Sequence, residues 1–337
     1  MTVHSHTRSL CVMLFVLVVF GMACASFLLA QSVPKKSTPV EKRIGDLEKD
    51  VMSLQRQTDI YNLDAMPDNL ILCGKKVPIH KAEVRERFER EFFQILEHRG
   101  LLTVIIKRFL QYQPMISEEI RRIGVPEDLA YLAVAESYLN PRALSGASAA
   151  GMWQFIRETG QREGLSIDDY IDERYNITKS TRSALTHLKR LNGEFNDWLL
   201  AMAAYNAGAG RVREVINNQL TRDFFDMLLP EETERYIFRI LSIKELISNR
   251  ERYGIKIDEK TLYQPVKLAE VTIEANREFH TNVLASAMDL SYRTFRINNL
   301  HIRRYRIPKG TYTVNVPAEK KDIFIRKLQS LEHIRIL

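Results

Sequence analysis

The hydrophobic pattern along the chain is mainly helical. Apolar residues recur at helical spacing from Lys81 to Gln111, with a break at His98–Gly100, and predict two helices there. Ile116 to Ile123 predicts a further short helix. Thr178 to Leu191 predicts an amphipathic helix that stops at Gly193, because glycine commonly follows a helix end. The pattern therefore indicates a domain built mostly from α-helices.

Two predicted helices have no polar face. Leu129 to Ala135 (LAYLAVA) carries no charge, and its one polar tip is the Tyr131 hydroxyl. The segment after Asp197 (WLLAMAAYNAG) is also apolar nearly all round, and Asp197 is suited to cap it. Helices that are apolar on every side are buried. We therefore expect both helices in the core of the domain.

Glu136 directly follows the first of these apolar helices. Burial disfavours the ionised carboxylate, and the negative end of the helix dipole acts in the same direction. A carboxylic acid that stays protonated near neutral pH is suited to act as a general acid. From this context alone, the alternative is a structural glutamate paired with a buried arginine.

The N-terminal pattern differs from the rest of the chain. Cys11 to Ala30 is a run of twenty residues without a charge, long enough to cross a membrane. Three interpretations are open: a signal peptide cleaved after Ala25, a retained membrane anchor, and a lipidated Cys24. Each of them places the rest of the chain across a membrane. Beyond this segment the chain has one cysteine, Cys73, which cannot form an internal disulfide.

A polar linker (QSVPKKSTPVEKR) follows the apolar run. After it comes a heptad seam of about two repeats, which is too short to define a coiled coil but can pair helices weakly. The seam consists of Ile44, Leu47, Val51 and Leu54.

The pattern changes again after Gly254. Two strands are predicted, at Glu270–Glu274 and Thr311–Val316, with two short helices between them at Val283–Leu290 and Tyr292–Asn299. This order is similar to a LysM glycan-binding module, and a plain structural subdomain is the alternative. A last amphipathic helix, Glu319 to Leu331, extends beyond that module.

Composition and charge narrow the function classes. The 337 residues are 45% hydrophobic and 27% charged, as in folded proteins, and the net charge is +7. Charges of both signs are mixed along the predicted helices, and the most basic stretch, His301–Lys309, holds one aromatic residue. This pattern favours solvated helix faces and no nucleic-acid partner. The chain also lacks a Cys/His cluster and a Gly-rich phosphate loop, so no metal or cofactor is expected.

Five separated motifs occur in a fixed order and spacing. Together they resemble the lytic transglycosylases of the lysozyme-like superfamily, specifically the membrane-bound D type and its soluble relatives. The resemblance covers about Val125 to Gly254. The motifs are Glu136-Ser137 with Asn140-Pro141, Ser145 with the small residues up to Gly151, Gln154, AAYNAG at Ala203–Gly208 and ETERY at Glu232–Tyr236.

The resemblance implies a mainly α protein. It would have a lysozyme-like helical catalytic domain with a groove, a helical N-terminal extension and a small α+β C-terminal module. The expected parts are 1–30 as signal peptide or membrane anchor, 31–63 as linker with a short heptad seam, 64–120 as helical lead-in, 121–258 as the transglycosylase domain and 259–337 as the LysM-like module.

The implied substrate is the peptidoglycan glycan strand of the bacterial cell envelope, with the protein exported to the periplasm or anchored in the membrane. Cleavage between N-acetylmuramic acid and N-acetylglucosamine would produce a 1,6-anhydro end without adding water, and one carboxyl would act first as acid and then as base. The implied catalytic residue is Glu136. The implied substrate-binding residues are Ser145, Gln154, Tyr205, Asn206 and Tyr236, and the supporting residues are Ser137, Gly151, Trp153 and Thr233.

Two other functions stay open at this point. One is a hydrolase of the goose-type lysozyme kind, in which the same glutamate would activate water. The other is a non-catalytic wall-binding protein. The chain also departs from the usual motif at Ser148, Ile156 and Arg157, which affects substrate fit more than the chemistry.

Overall fold

The computed structural model describes residues 38–58 and 66–337, with the backbone alone at 53–58. The predicted N-terminal apolar segment lies outside these residues. Helix α1 (Pro39–Thr58) belongs to a unit of its own. It begins with a capping box, in which Thr38 and Glu41 each accept a hydrogen bond from the other's backbone N–H. Three residues of the predicted heptad seam, Ile44, Leu47 and Val51, are exposed along α1.

The second unit starts with a hairpin and continues as a helical domain. The hairpin pairs β1 (Ile71–Leu72) with β2 (Lys75–Lys76). The helices that follow are α2 (Ala82–Glu97), α3 (Arg99–Ile123), α4 (Ala130–Ser137), α5 (Arg157–Arg162), α6 (Ile177–Phe195), α7 (Trp198–Ala207), α8 (Ala209–Gln219) and α9 (Glu231–Ser248). No helix of the described part of the chain is both long and apolar enough to span a bilayer.

The two predicted apolar helices, α4 and α7, lie in the core. Leu132, Ala133 and Val134 of α4 are fully buried. At the start of α7, the Asp197 carboxylate accepts hydrogen bonds from the N–H groups of Leu199 and Leu200, so the predicted cap is confirmed. The burial of α4 brings its last turn, with Glu136, against α9.

Two helix boundaries differ from the prediction. The two helices expected between Gly100 and Ile123 form the single helix α3, which runs through Pro114. Buried residues on both sides of the proline, Phe109 and Ile116, anchor the helix there, so packing overrides the local cost of the ring. Helix α6 passes Gly193 and ends where Asn196 adopts a left-handed conformation, because buried Phe195 secures the last turn.

The C-terminal segment contains a three-stranded sheet, a separate pair of two short strands, and a second hydrophobic core. Its elements are β3 (Leu268–Ala275), β4 (Phe279–His280), α10 (Asn282–Ala287), α11 (Tyr292–Asn298), β5 (Arg306–Ile307), β6 (Gly310–Pro317), α12 (Lys321–Gln329) and β7 (Ile334–Ile336). The three-stranded antiparallel sheet has the order β6-β3-β7, with Val271 opposite Val314, and β4 pairs with β5. Strand β7 was not predicted, because three residues are too few to show an alternating pattern.

Backbone and side-chain contacts join this segment to the helical domain. The N–H of Asp172 donates to the carbonyl of His301 at 2.8 Å, and the N–H of Arg303 donates to Tyr170 at 2.7 Å. The Asn315 amide donates to Asn176, which also caps α6. The contacts of Asp172 and Asn176 are buried, and they hold the segment against residues 170–176 of the helical domain.

Candidate active site

Glu136 lies in the last turn of α4, where the chain leaves the core. Tyr138 and Leu139 both adopt left-handed backbone conformations, with φ of 51° and 53°, and so end the helix immediately after Glu136. The Tyr236 hydroxyl of α9 donates a hydrogen bond of 2.5 Å to Glu136 Oε1. Two residues that are one hundred positions apart in sequence therefore meet in one short contact.

Burial raises the pKa of Glu136 from 4.5 to about 7. The hydrogen bond from Tyr236 and the positive charge of Arg239 act in the opposite direction, and the negative charge of Glu232 adds to the increase. Near neutral pH, Glu136 therefore exists both as an acid and as a carboxylate. This is the range in which one group can give a proton and later accept one.

Two tyrosines lie beside the carboxyl, Tyr236 buried and Tyr205 half-buried. Burial and the charge of Glu136 raise the pKa of both Tyr205 and Tyr236 well above its ordinary value, so both remain neutral hydrogen-bond donors. Tyr205 donates to the carbonyl of Trp153 at 2.7 Å. The Trp153 indole N–H in turn donates to Thr181 at 2.9 Å, and Trp153 is fully buried. These contacts attach the end of the small-residue loop to α6 and α7.

Ser145 and Gln154 lie on the loop between α4 and α5, and their described hydrogen bonds stay within it. The Ser145 hydroxyl accepts from the N–H of Ala149 at 3.0 Å. The Gln154 amide donates to the carbonyl of Gly151 at 2.8 Å. Ser145 is exposed and Gln154 is half-buried. The two predicted substrate ligands are thus held by their own loop, and neither hydrogen-bonds to Glu136 among the described residues.

Gly151 is the point at which this loop packs most closely. Its φ is +77°, and an added Cβ would lie 1.9 Å from the carbonyl oxygen of Arg174. The Arg174 guanidinium donates to the carbonyls of Ser148 and Phe155, at 2.8 and 3.0 Å, and is paired with Asp172. The loop is therefore held both by the backbone and by the side chain of Arg174.

The remaining predicted residues also make specific contacts. Ser137 donates to the carbonyl of Met152 at 2.7 Å, which ties the end of α4 to the loop. Buried Thr233 donates to Asn206 Oδ1 at 3.0 Å. Because this bond occupies the amide oxygen of the exposed Asn206, its NH₂ group is the part available to a ligand.

Sequence reasoning missed a charged network next to the carboxyl. Arg239 donates to Glu232 at 3.0 Å and to Glu91 at 3.2 Å, and Arg235 donates to Glu91 at 2.6 Å. Glu91 is 1% exposed. Spacing within α9 could have placed Arg239 on the same helix face as Tyr236. Nothing in the sequence pattern pairs either arginine with Glu91, which is more than one hundred and forty positions away.

The structure also brings a second carboxylate near Glu136. No acidic residue lies between Glu136 and Glu158 in sequence, yet Glu232 from α9 acts electrostatically on Glu136. Its partner Arg239 compensates the charge of Glu232. Within residues 66–337, no group of three or more His, Cys, Asp or Glu side chains is arranged to hold a metal ion.

Tyr236→Phe should move the alkaline limb of any activity–pH profile to higher pH. The Tyr236 hydroxyl stabilises the carboxylate form of Glu136, so its removal raises the pKa of Glu136 further above its value of about 7. A group that must be protonated then stays active to higher pH. The measurement is kcat/KM across the neutral and alkaline range on peptidoglycan, the substrate that the motif resemblance implies.

Tyr253→Phe is the matched control. It removes a similar bond, 2.6 Å from the Tyr253 hydroxyl to Glu245, without touching Glu136. Its profile should coincide with that of the unmodified protein. If the alkaline limb of the profile did not move in Tyr236→Phe, the pKa of Glu136 would not be what sets that limb.

Comparison with known proteins identifies the class of this domain. Residues 114–228 match the family model described as Transglycosylase SLT domain. The chain is also homologous to lytic murein transglycosylases. Residues 114–228 are thus similar to transglycosylase SLT domains, which confirms the resemblance that the motifs carried.

Among particular relatives, the membrane-bound lytic murein transglycosylase D of Escherichia coli (strain K12) is 32% identical over 226 residues, which cover 61% of this chain and 50% of that protein. The membrane-bound lytic murein transglycosylase C of Histophilus somni (strain 2336) is 27% identical over 180 residues, 48% of each. The chain thus spans about half the length of these relatives.

A solved structure, that of the lytic transglycosylase Slt from Pseudomonas aeruginosa, is 23% identical with a TM-score of 0.36. It covers 45% of this chain and 26% of that one.

Proposed function

We propose that this protein is a peptidoglycan lytic transglycosylase in which Glu136 acts as both acid and base. The observation that carries the proposal is the 2.5 Å bond between Tyr236 and half-buried Glu136, whose pKa is about 7. Relatives that are named lytic murein transglycosylases support the reaction class.

In the first step, protonated Glu136 donates its proton to the glycosidic oxygen that leaves C1 of the muramic acid residue. The C1–O bond breaks, the departing sugar carries the proton, and positive charge develops at C1. Glu136 is now a carboxylate, and the hydrogen bond from Tyr236 stabilises it.

In the second step, the Glu136 carboxylate takes the proton of the C6 hydroxyl of the same sugar, and the C6 oxygen bonds to C1. This closes the 1,6-anhydro ring and restores protonated Glu136, so no water is consumed. One carboxyl is therefore sufficient for both proton transfers. Glu232 need not take part, since Arg239 holds it in an ion pair.

The substrate ligands are those that the motif resemblance implies. Ser145 and Gln154 would bind the sugar from the loop, and the NH₂ group of Asn206 would donate to it from the end of α7. Tyr205 and buried Trp153 would form the wall behind the reacting sugar, with Ser137, Gly151 and Thr233 supporting them.

The envelope location and the C-terminal glycan-binding role belong to the same proposal. Peptidoglycan lies outside the inner membrane, and the uncharged run at Cys11–Ala30 is suited to export or anchoring. The order β3, α10, α11, β6 supports a LysM-like arrangement, to which α12 and β7 are added.

Digestion of purified sacculi should release products with 1,6-anhydro ends, each lighter by one water molecule than a reducing end. The measurement is mass spectrometry of digests made in ordinary water and in heavy-oxygen water, with a goose-type lysozyme as the hydrolytic control. Incorporation of heavy oxygen at the new ends would contradict the lyase and identify a hydrolase. No release of fragments would contradict both enzymes and favour a wall-binding protein.

A further inference from the structure

A pocket of about 550 Å³ lies where the helical domain meets the C-terminal segment. Three arginines line it: Arg142 from the α4–α5 loop, Arg296 from α11 and Arg303 after α11. Tyr175, Tyr292 and Tyr305 also line it. Its volume is within the range of small-ligand sites, and no acidic residue is among the residues that line it.

The charge of this pocket is uncompensated within residues 66–337. None of the three guanidinium groups is in an ion pair there, whereas neighbouring Arg174 and Arg182 bind Asp172 and Glu119. Instead, Arg303 lies over the ring of Tyr175 at 4.4 Å, and Arg296 over the ring of Tyr292 at 5.9 Å. Arg303 also donates one N–H to the carbonyl of Leu300 at 3.1 Å. A guanidinium has five N–H groups, so further N–H groups of each arginine can donate to a ligand.

Arg296 shows an additional unsatisfied group. Its Nε is buried and has no hydrogen-bond partner, while one terminal nitrogen donates to the Tyr292 hydroxyl at 3.3 Å. Tyr292 and Tyr305 stack at 5.6 Å between ring centroids. Arginines fixed by aromatic rings, with no acid beside them, form a site suited to carboxylates.

The pocket adjoins the candidate active site through one loop. Arg142 and exposed Leu144 line the pocket, and Ser145, the proposed ligand of the muramic acid residue, follows directly. In peptidoglycan, the muramic acid residue carries a short peptide with free carboxylates on its lactyl group. The sugar backbone itself has little charge, so three unpaired arginines match the peptide better than the glycan.

We propose that this pocket binds the carboxylate-bearing peptide attached to the glycan strand. The site would make the enzyme prefer peptide-bearing strands to strands stripped of peptide. The inference rests on the proposed function for its substrate, but binding of the peptide can be measured separately from cleavage.

The first test compares cleavage rates on sacculi glycan with its peptides and on glycan from which an amidase has removed them. The double variant Arg142→Gln/Arg303→Gln removes one cation on the helical-domain side of the pocket and one on the C-terminal side. We expect the rate on peptide-bearing glycan, divided by the rate on peptide-free glycan, to fall about tenfold. Arg293→Gln, an exposed arginine of α11 that does not line the pocket, should leave the ratio unchanged. Equal losses on both substrates would overturn the proposal, because a sugar-binding or structural role predicts them.

The second test uses Glu136→Gln protein, which should retain the pocket without turnover. Calorimetry with the peptide mixture released by the amidase should show binding that the double variant weakens about tenfold and that Arg303→Lys, which keeps the cation, largely retains. Absence of peptide binding in a folded protein would overturn the pocket assignment even if sacculi are cleaved. If the peptide bound but the unmodified protein cleaved no glycan, the proposed function would be rejected and the pocket would still be a peptide-binding site.

Discussion

Glu136→Gln should lower the rate of sacculus digestion by roughly 10²–10⁴-fold, the usual contribution of a positioned general acid or base. Gln preserves the shape of the side chain and can still accept from Tyr236, but it has no proton to give and cannot take one. Because both proposed steps pass through the same carboxyl, neither can be carried by another group. Initial rates of fragment release measure the effect.

The same substitution should stabilise the folded protein at neutral and alkaline pH. The folded state holds the Glu136 proton up to about pH 7, whereas the unfolded state loses it near 4.5, so the native protein loses stability as pH rises between these values. Gln has no such penalty. Denaturant unfolding should show the variant roughly 2–3 kcal/mol more stable above pH 7, with the difference vanishing below about 4.5.

Glu158→Gln is the control, because Glu158 is the next acidic residue in the chain and is exposed on α5. It should leave the rate of sacculus digestion unchanged. If Glu136→Gln kept the full rate of digestion, the enzymatic proposal would be wrong. A lower stability of Glu136→Gln at every pH would instead indicate a structural ion.

Gly151→Ala should destabilise the fold by about 3 kcal/mol or more, among the larger effects known for one methyl group. The new Cβ would meet the Arg174 carbonyl at 1.9 Å, and φ of +77° is strained for any side chain. The backbone must move to relieve the contact, and the loop that carries Ser145 and Gln154 must move with it. Thermal and denaturant unfolding measure the loss, and glycan binding should weaken with it.

Gly146→Ala provides a matched comparison within the same loop. Nothing lies within 4 Å of a Cβ at Gly146, and its φ is not in the left-handed region. This variant should be as stable as the unmodified protein or slightly more so. Equal stability of the two alanine variants would show that the contact at Gly151 is not tightly packed.

The sequence predicted those parts of the site that depend on local pattern. The all-apolar helices α4 and α7 could be recognised from seven to eleven residues each, and their burial places Glu136 at a core boundary. The cap at Asp197 is equally local. Ordered motifs then brought Tyr236 and Asn206 to the same site, which composition and periodicity alone do not do.

Contacts between segments that are distant in the chain could not be predicted from the sequence. Whether a buried Glu91 pairs with Arg235 and Arg239 depends on how α2 packs on α9, and many surface charges show the same helical spacing. For the same reason the effect of Glu232 on Glu136 was not predicted, because the two residues are remote in sequence. The separate helix predicted at Ile116–Ile123 and the helix end predicted at Gly193 were wrong, because the local cost of Pro114 and of Gly193 is smaller than that of exposing the neighbouring core residues.

The junction at Asp172, Asn176 and His301 bears on how this architecture can be recombined. The segment after residue 258 supplies partners for the backbone of Asp172 and for the side chain that caps α6. A chimaera that exchanged this segment for an unrelated one would leave those groups without partners, next to the loop of Gly151. The C-terminal segment therefore cannot be exchanged independently. A chimaera that keeps the site intact must contain both the helical domain and its own C-terminal segment.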